Sequence, residues 1–337
     1  MKAVLCTRFG PPSSLTVDDV PSPSPAPGQV VIAVHASAVN FPDTLIIENK
    51  YQFKPPLPFS PGAEVAGTVT ALGAGVREFA VGDRVLAIMN WGGYAEEVAV
   101  DVQKVHRLPD NVDFLRAAAL VLTYGTSFYA LKHRGQLRQG ETVLVLGAAG
   151  GTGLAAVELS KAMGGHVIAA ASTVSKLAVC AEKGAEKCLN YGAGDLRDLV
   201  KAATGGAGVD VVYDPVGGSH TEAALRNMAW GGRYLVIGFS SGEIPRPPLN
   251  LPLLKSCSIT GVFFGAFMDR DPSAAQALIA ELLGMLEAGR INPVITGRYR
   301  LEDAAEALTA LTSRQAVGKC VLTTARGREH LEKGSPS

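Results

Sequence analysis

The stretch LVLGAAGGTG, residues 144–153, decides how this chain folds. An apolar run enters a glycine turn, and LAAVELSKAMGG follows at once with the spacing of a helix. The order strand, turn, helix matters more than the letters. A diphosphate needs free backbone N–H groups, the partial positive charge of a helix N-terminus, and no Cβ where the ligand approaches the chain. Gly150, Gly151 and Gly153 meet those needs, and Ala149 and Thr152 belong to the same cradle. Against the fingerprint GxGxxG, Ala148 replaces the first glycine, while Gly147, Gly150 and Gly153 fit a looser spacing. Glycine spacing alone would also suit a tight turn with no ligand. The strand before it, the helix after it and a further apolar strand at 167–171 favour a dinucleotide site.

The end of that second strand bears on which dinucleotide. A carboxylate roughly 20 residues past the turn would hold a ribose 2′-OH and repel a 2′-phosphate. Here the sequence reads AAASTVSK (169–176), with Ser172 at the expected place, Lys176 four residues on and no acid. A hydroxyl and an ammonium favour a phosphate, so NADPH is expected in preference to NADH. Lys176 would also suit a solvated position on a helix.

Outward from the turn, apolar strands alternate with helices: helix 154–163, strand 167–171, helix 176–183, then strands at 187–191, 209–213 and 233–239. That alternation predicts a doubly wound parallel sheet with helices on both faces. Ser219 with Glu222 three residues on reads as a capping box. Asp271 and Pro272 open a helix through Leu278, Leu282 and Met285, which Gly289 stops. After a strand at 259–264, the remaining helices and a strand at 319–323 do not continue the alternation and are assigned to the first part of the chain. That first part carries short strands at 30–36, 64–72, 84–88 and 94–100 between turn clusters at 21–28 and 73–75, the pattern of a small barrel. The fold class is therefore α/β. Residues 1–122 with 268–329 form a discontinuous β-barrel domain, 123–267 a Rossmann domain, and 330–337 a flexible end to a polar tail that begins at 325.

Composition narrows the function. The chain has 31 basic and 31 acidic residues in 337, so no net field draws in nucleic acid or an anionic membrane. Gly, Pro or charge breaks every apolar run short of the roughly 18–20 residues that span a bilayer. The start, MKAVLCTRFG, lacks the apolar region of a secretory signal, so a cytoplasmic location is expected. The five cysteines form no CxxC pair, which speaks against a disulfide framework or a zinc knot.

Several ordered motifs resemble one family. AVNFPD (38–43), PPLPFSPGAEVAG (55–67), VGDRV (81–85), GGYAEE (92–97), YGTSFYAL (124–131), GAAGGTG (147–153) and AVGKCVL (316–322) resemble the zinc-independent quinone oxidoreductases of the medium-chain dehydrogenase/reductase superfamily, and among them the quinone oxidoreductase-like proteins. The likeness runs from residue 1 to about 324. It implies a GroES-like catalytic domain, a Rossmann domain inserted after it, a cleft between them and a homodimer formed through the Rossmann sheets. Where alcohol dehydrogenases of the superfamily carry a metal-binding cysteine and histidine, this sequence has Asn40 and Ala63, although Glu64 remains, and no four-cysteine lobe lies between Val85 and Glu97. An amide and a methyl cannot replace thiolate and imidazole on zinc, so no metal is expected.

Without a Lewis acid, hydride from the nicotinamide would go to an acceptor that is already electrophilic, a quinone or an alkene conjugated to a carbonyl. The resemblance implies Asn40, Asp43 and Tyr51 around the nicotinamide and acceptor, with Tyr51 either a proton donor or a pocket wall. It further implies Thr126 near the nicotinamide ribose and phosphates, Tyr191 near the 2′-phosphate, and Gly238 and Phe239 at the turn after the fifth strand. Phe263 and Phe264 would border the carboxamide, and Lys319 would reach the cofactor from the catalytic domain. Leu45 stands where some relatives carry tyrosine. Only Lys50 and Lys54 occur in 49–56, too few for the phosphates of a long acyl thioester, which favours small hydrophobic electrophiles. Three functions stay open: NADPH-dependent reduction of quinones, reduction of the C=C bond of enones, enals or enoyl thioesters, and NADPH binding without catalysis in a redox sensor or structural protein.

Overall fold

The computed structural model describes residues 1–313 and 316–334. The chain divides into two compact units, residues 1–122 with those from 292 onward, and residues 123–291.

The first unit opens with an antiparallel pair, β1 (Lys2–Leu5) and β2 (Thr16–Asp19). It continues through β3 (Gln29–Val39), β4 (Glu64–Leu72), β5 (Arg84–Ile88), β6 (Glu97–Asp101) and β7 (Val105–Arg107). β3, QVVIAVHASAV, does not alternate apolar with polar, and it is buried along almost its whole length. The reason is its pairing: β4 lies against one edge and β6 against part of the other. Register shifts at Val31/Ile32 and Val34/Ala36 interrupt the β3–β4 ladder, and such bulges bend and twist a strand. Valines at 30, 65, 69, 85 and 98 fill the space between these strands.

The second unit contains β8 (Thr142–Leu146), β9 (His166–Ala171), β10 (Lys187–Asn190), β11 (Val209–Asp214), β12 (Met228–Val236) and β13 (Ser258–Gly261). All pair in parallel, in the order β10-β9-β8-β11-β12-β13. This is the doubly wound order, which reverses between β8 and β11, and ligands of such sheets bind outside the strand C-termini at that reversal. Central parallel strands must be apolar on both faces, and Val143, Leu144, Val145 and Leu146 are all fully buried.

The chain returns to the first unit with β14 (Ile295–Arg300) and β15 (Lys319–Thr323), and β15 pairs antiparallel with the last four residues of β3. The first sheet thereby reads β14-β15-β3-β4-β5-β7, with β6 also on β3.

Several expectations from sequence need correction. The helix Pro272–Glu287 belongs to the second unit, so 268–291 does not join the barrel domain. Asp271 caps this helix by accepting the Ala274 N–H at 3.1 Å, and a Lys132–Glu281 ion pair at 2.6 Å fastens it within that unit. The strand expected to run to Phe264 stops at Gly261, because Phe264–Arg270 coils into a helix. No capping box forms at Ser219: that residue is itself helical in φ and ψ, whereas an N-cap must be extended, and Glu222 pairs with Arg226 at 2.7 Å instead. The tail expected to fray from 325 is helical over Ala325–Gly334. Thr324 Oγ1 accepts the Gly327 N–H at 3.2 Å, and Gly327 lies so close to His35 that a Cβ would stand 2.0 Å from its carbonyl oxygen. The remainder of the expected flexible end, 335–337, lies outside the described residues.

Candidate functional site

In the second unit the glycine bend joins β8 to the helix Gly151–Ala162. Gly150 occupies the N-cap position, extended, with no side chain closing the helix. The first-turn N–H groups of a helix have no partner within it, so they point outward as a set of donors. Each glycine has its own reason. Gly147 has φ +56°, a left-handed conformation that few side chains tolerate. A Cβ on Gly153 would lie 2.3 Å from the Gly147 carbonyl oxygen, so this glycine lets helix and bend close on each other. A Cβ on Gly150 would meet only that same oxygen, at 3.5 Å, which leaves its outer side clear for a ligand. These features fit a diphosphate. Ala149 is 3% exposed and its methyl faces the interior, so only its main chain can take part.

The ends of the neighbouring strands bring further residues together. Tyr191, just past β10, donates its N–H to the Ala171 carbonyl at 3.1 Å, and a Cβ on Gly192 would lie 2.4 Å from the Ser172 carbonyl oxygen. Ser172 and Tyr191 therefore meet at the C-terminal edge of β9 and β10, with Lys176 in the first turn of the helix Val174–Glu182 that follows, all half-buried. Thr173 caps the helix of Lys176 by accepting that residue's N–H at 3.3 Å, a cap that sequence reading missed. A cavity of about 610 Å³ is lined by Gly238, Phe239, Phe263 and Tyr129 among others. The adjacent phenylalanines part company: Phe263 is 50% exposed, while Phe264 is buried with its ring against Gly125, next to the half-buried Thr126. Phe264 thus acts as packing rather than as a wall of that cavity.

The first unit holds a second constellation, made of buried side chains. The register Cys320↔Val39 and Ser37↔Val65 sets Lys319, Asn40 and Glu64 at one end of three adjoining strands, β15, β3 and β4. Gly318, with φ +65°, turns the chain into β15, where a Cβ would stand 2.4 Å from the Val294 carbonyl oxygen. Lys319 Nζ donates to Val39 O and Glu64 Oε1, each at 3.2 Å, and to Asn40 Oδ1. Asn40 Nδ2 donates to Glu64 Oε1 at 3.0 Å, and Glu64 Oε2 accepts the Leu122 N–H at 2.8 Å. The three N–H groups of Lys319 are thus matched by three acceptors inside the unit, rather than directed to a cofactor as the sequence reading expects. Glu64 and Tyr94, which that reading left out of the site, are integral to it.

Asp43 adjoins this group. It forms a reciprocal capping arrangement with Asn40 at the start of the helix Phe41–Ile47, its Oδ2 accepting the Asn40 N–H and the Tyr94 hydroxyl, each at 2.8 Å. Burial pushes the Asp43 carboxyl up to about 6, against the pull of the Tyr94 and Asn40 hydrogen bonds and of the Lys319 charge. Tyr51 is half-buried beside the Phe53 ring, at 5.7 Å between centroids, and burial followed by the Asp43 charge raises its phenol above the ordinary value. The spacing N-x-x-D after an apolar strand was the available signal for the Asn40–Asp43 cap. No local signal ties either residue to Glu64 or Lys319.

A doubly wound dinucleotide-type unit in one chain with a GroES-like unit defines the class of the medium-chain dehydrogenases and reductases. The alcohol dehydrogenase GroES-like domain family matches residues 26–110, and the zinc-binding dehydrogenase family matches 151–282. The quinone oxidoreductase-like protein 2 homolog of Nematostella vectensis is 37% identical over 96% of this chain and 89% of its own length. Quinone oxidoreductase-like protein 2 of Rattus norvegicus is 37% identical over 96% and 92%. The Escherichia coli quinone oxidoreductase, solved in complex with NADPH, superposes with a TM-score of 0.90 at 30% identity, covering 96% of this chain and 100% of that one. The chain belongs to the quinone oxidoreductase-like family of the medium-chain dehydrogenase/reductase superfamily, a family of oxidoreductases.

Proposed function

We propose that this chain is an NADPH-dependent, metal-independent reductase of quinones. The observation that carries the reading is the uncapped helix N-terminus at Gly150, at the C-terminal end of β8 where the strand order reverses. Backbone N–H groups of Gly151, Thr152 and Gly153 hold the diphosphate, with Ala149 and Gly150 shaping the bend, where the Gly150 N–H closes the turn onto the Gly147 carbonyl at 3.0 Å. Ser172 and Lys176 receive the 2′-phosphate, with Tyr191 beside them and no carboxylate to repel it. Thr126 serves the nicotinamide ribose, and Gly238, Phe239 and Phe263 wall the nicotinamide side. When bound, NADPH supplies a hydride to an electron-poor acceptor.

In the first unit, Lys319 and Glu64 fix the orientation of the Asn40 carboxamide, whose N–H groups go to Glu64 Oε1 and Ala38 O, so that Asn40 shapes the acceptor side rather than donating to it. Lys319 is a positioning residue in this reading. Reduction also consumes a proton. We assign proton supply to the half-buried phenol of Tyr51, while Asp43, bonded to the Asn40 N–H and the Tyr94 hydroxyl, holds the start of the Phe41–Ile47 helix. Metal independence rests on donor chemistry: Asn40 and Ala63 offer an amide and a methyl, and both oxygens of Glu64 already accept hydrogen bonds.

The chain is further proposed to act in the cytoplasm as a homodimer. No helix among the described residues is long and apolar enough to cross a membrane. β13 is the last strand of its sheet, and Trp230, Ile244, Leu249, Leu253, Leu254 and Ile259 are exposed in the second unit, an apolar set that suits a second copy.

The test is to mix purified protein and NADPH with 1,4-quinones, enones and enoyl thioesters while following nicotinamide absorbance. Oxidation with quinones is expected. Oxidation with activated alkenes alone would move the activity to C=C reduction, and binding without turnover on any electrophile would leave a non-catalytic NADPH-binding protein.

A further inference from the structure

The segment VVYDPVGG, residues 211–218, has no part in the function assigned so far. Its Asp214 ends β11, on one side of the reversal in strand order, so a carboxylate stands where an anionic dinucleotide would bind. The charge is not offered to that ligand. Asp214 is 3% exposed. Its Oδ1 accepts the N–H groups of Val216 and Gly217, each at 2.8 Å, and its Oδ2 accepts the hydroxyls of Tyr234 and Thr221. Its main-chain oxygen accepts the N–H of Ile237 at 2.9 Å and of Gly238 at 3.3 Å. One residue thus ties down the turn after β11 and the turn after β12.

Those turns also touch the glycine bend and each other. A Cβ on Gly147 would stand 2.7 Å from Val216 Cγ2, and one on Gly217 would stand 2.8 Å from the Phe239 ring. The chain of contact therefore runs from the diphosphate bend through Val216 and Gly217 to Phe239. A carboxylate accepts all four donors at once, whereas an amide would keep the two N–H groups on its oxygen and have to reverse the bonds to the two hydroxyls, losing the charge that strengthens them. The carboxylate also consumes the N–H groups of 216 and 217, which would otherwise form a second anion-binding concavity beside the Gly150 cradle.

We infer that Asp214 is a positioning residue for the nicotinamide half of the cofactor, holding the turns at 216–217 and 237–239 in register with the glycine bend. This rests on the proposed NADPH reading. The adenosine half, assigned to Ser172, Lys176 and Tyr191, is held by the ends of β9 and β10, and its link to the hub is the Tyr191 ring, 4.5 Å from the ring of His220 beside Thr221.

Asp214→Asn and the milder Tyr234→Phe, which removes one donor and keeps the carboxylate, test the inference by titration with NADPH and with 2′,5′-ADP. The Kd for NADPH should rise about tenfold in Asp214→Asn, the size of one lost charge-assisted hydrogen bond, and by less in Tyr234→Phe. The Kd for 2′,5′-ADP should stay unchanged in both. If Asp214→Asn does not fold, Tyr234→Phe decides alone. Equal weakening of both ligands, or unaltered NADPH binding in folded variants, overturns the assignment. A wild-type protein that binds neither ligand defeats the cofactor reading, and the inference with it, whereas a wild type that binds both confines the outcome to Asp214.

Discussion

The two units build their polar sites by opposite means. In the second, the bend after β8 works through what is missing: Gly147, Gly150 and Gly153 leave out side chains so that main-chain N–H groups can face a ligand. In the first, the side chains of Asn40, Asp43, Glu64, Tyr94 and Lys319, all under 5% exposed, form the site, and main-chain groups of Val39, Asn40 and Leu122 complete their hydrogen bonds. A backbone site demands local geometry and tolerates neighbouring change. A buried side-chain site demands that every charge and donor be matched, and it loses most when one member is removed.

That contrast orders the expected effects. Lys319→Met leaves Glu64 as a buried carboxylate without its cation and should cost about 3–5 kcal/mol in urea unfolding. The double variant Lys319→Met/Glu64→Gln should recover most of that loss, since the uncompensated charge is gone; equal destabilisation of both variants would break the contrast.

Asp43 gives the next largest effect, with an unusual sign. Its carboxyl stands at about 6 in the folded chain against an ordinary 3.8, so the folded state holds the proton more tightly. The contribution to stability is fully present below about pH 4 and is lost as pH rises towards 6. Asp43→Asn keeps an oxygen for the Asn40 N–H and the Tyr94 hydroxyl, so it should stabilise the protein by up to about 3 kcal/mol above pH 6 and little at acid pH. Denaturant midpoints for both proteins across this range check it, and parallel pH profiles would count against the burial of that carboxyl.

In the second unit, Gly153→Ala places a methyl against main chain that cannot swing aside, at a cost of about 1–3 kcal/mol, together with loss of NADPH binding. Lys176→Ala should raise the Kd for NADPH about tenfold and leave NADH binding unaltered, a difference fluorescence titration resolves. The smallest expected effect is none at all: dialysis against a chelator should leave quinone reduction intact.

The same contrast explains how much was legible beforehand. The bend at 144–153 is contiguous, and its requirements fall on glycine, the residue whose conformational freedom is most distinctive. The strand-helix alternation around it is equally local, and β8, Thr142–Leu146, runs straight into the bend as the apolar run before the glycines implies. Asn40, Asp43 and Lys319 were named only through resemblance, because residues 279 apart meet by strand register and no local pattern encodes that. For the same reason Glu64 was seen only as a remnant of a metal site, although the structure makes it the partner of Lys319. Residues 268–291 depart from expectation on similar grounds, since broken alternation looks like a change of domain when a helix simply packs back within its own unit. The tail helix escaped notice because polar composition hides a capping threonine and a glycine that admits close packing on His35.

The most direct test of the account is calorimetric titration of NADPH into wild-type protein and into Gly150→Val, a substitution that fills the cradle on its open side. Saturable heat with one equivalent per chain is expected in the wild type, with its loss in the variant while the fold is retained. Absence of heat in the wild type, or undiminished affinity in folded Gly150→Val, would contradict it.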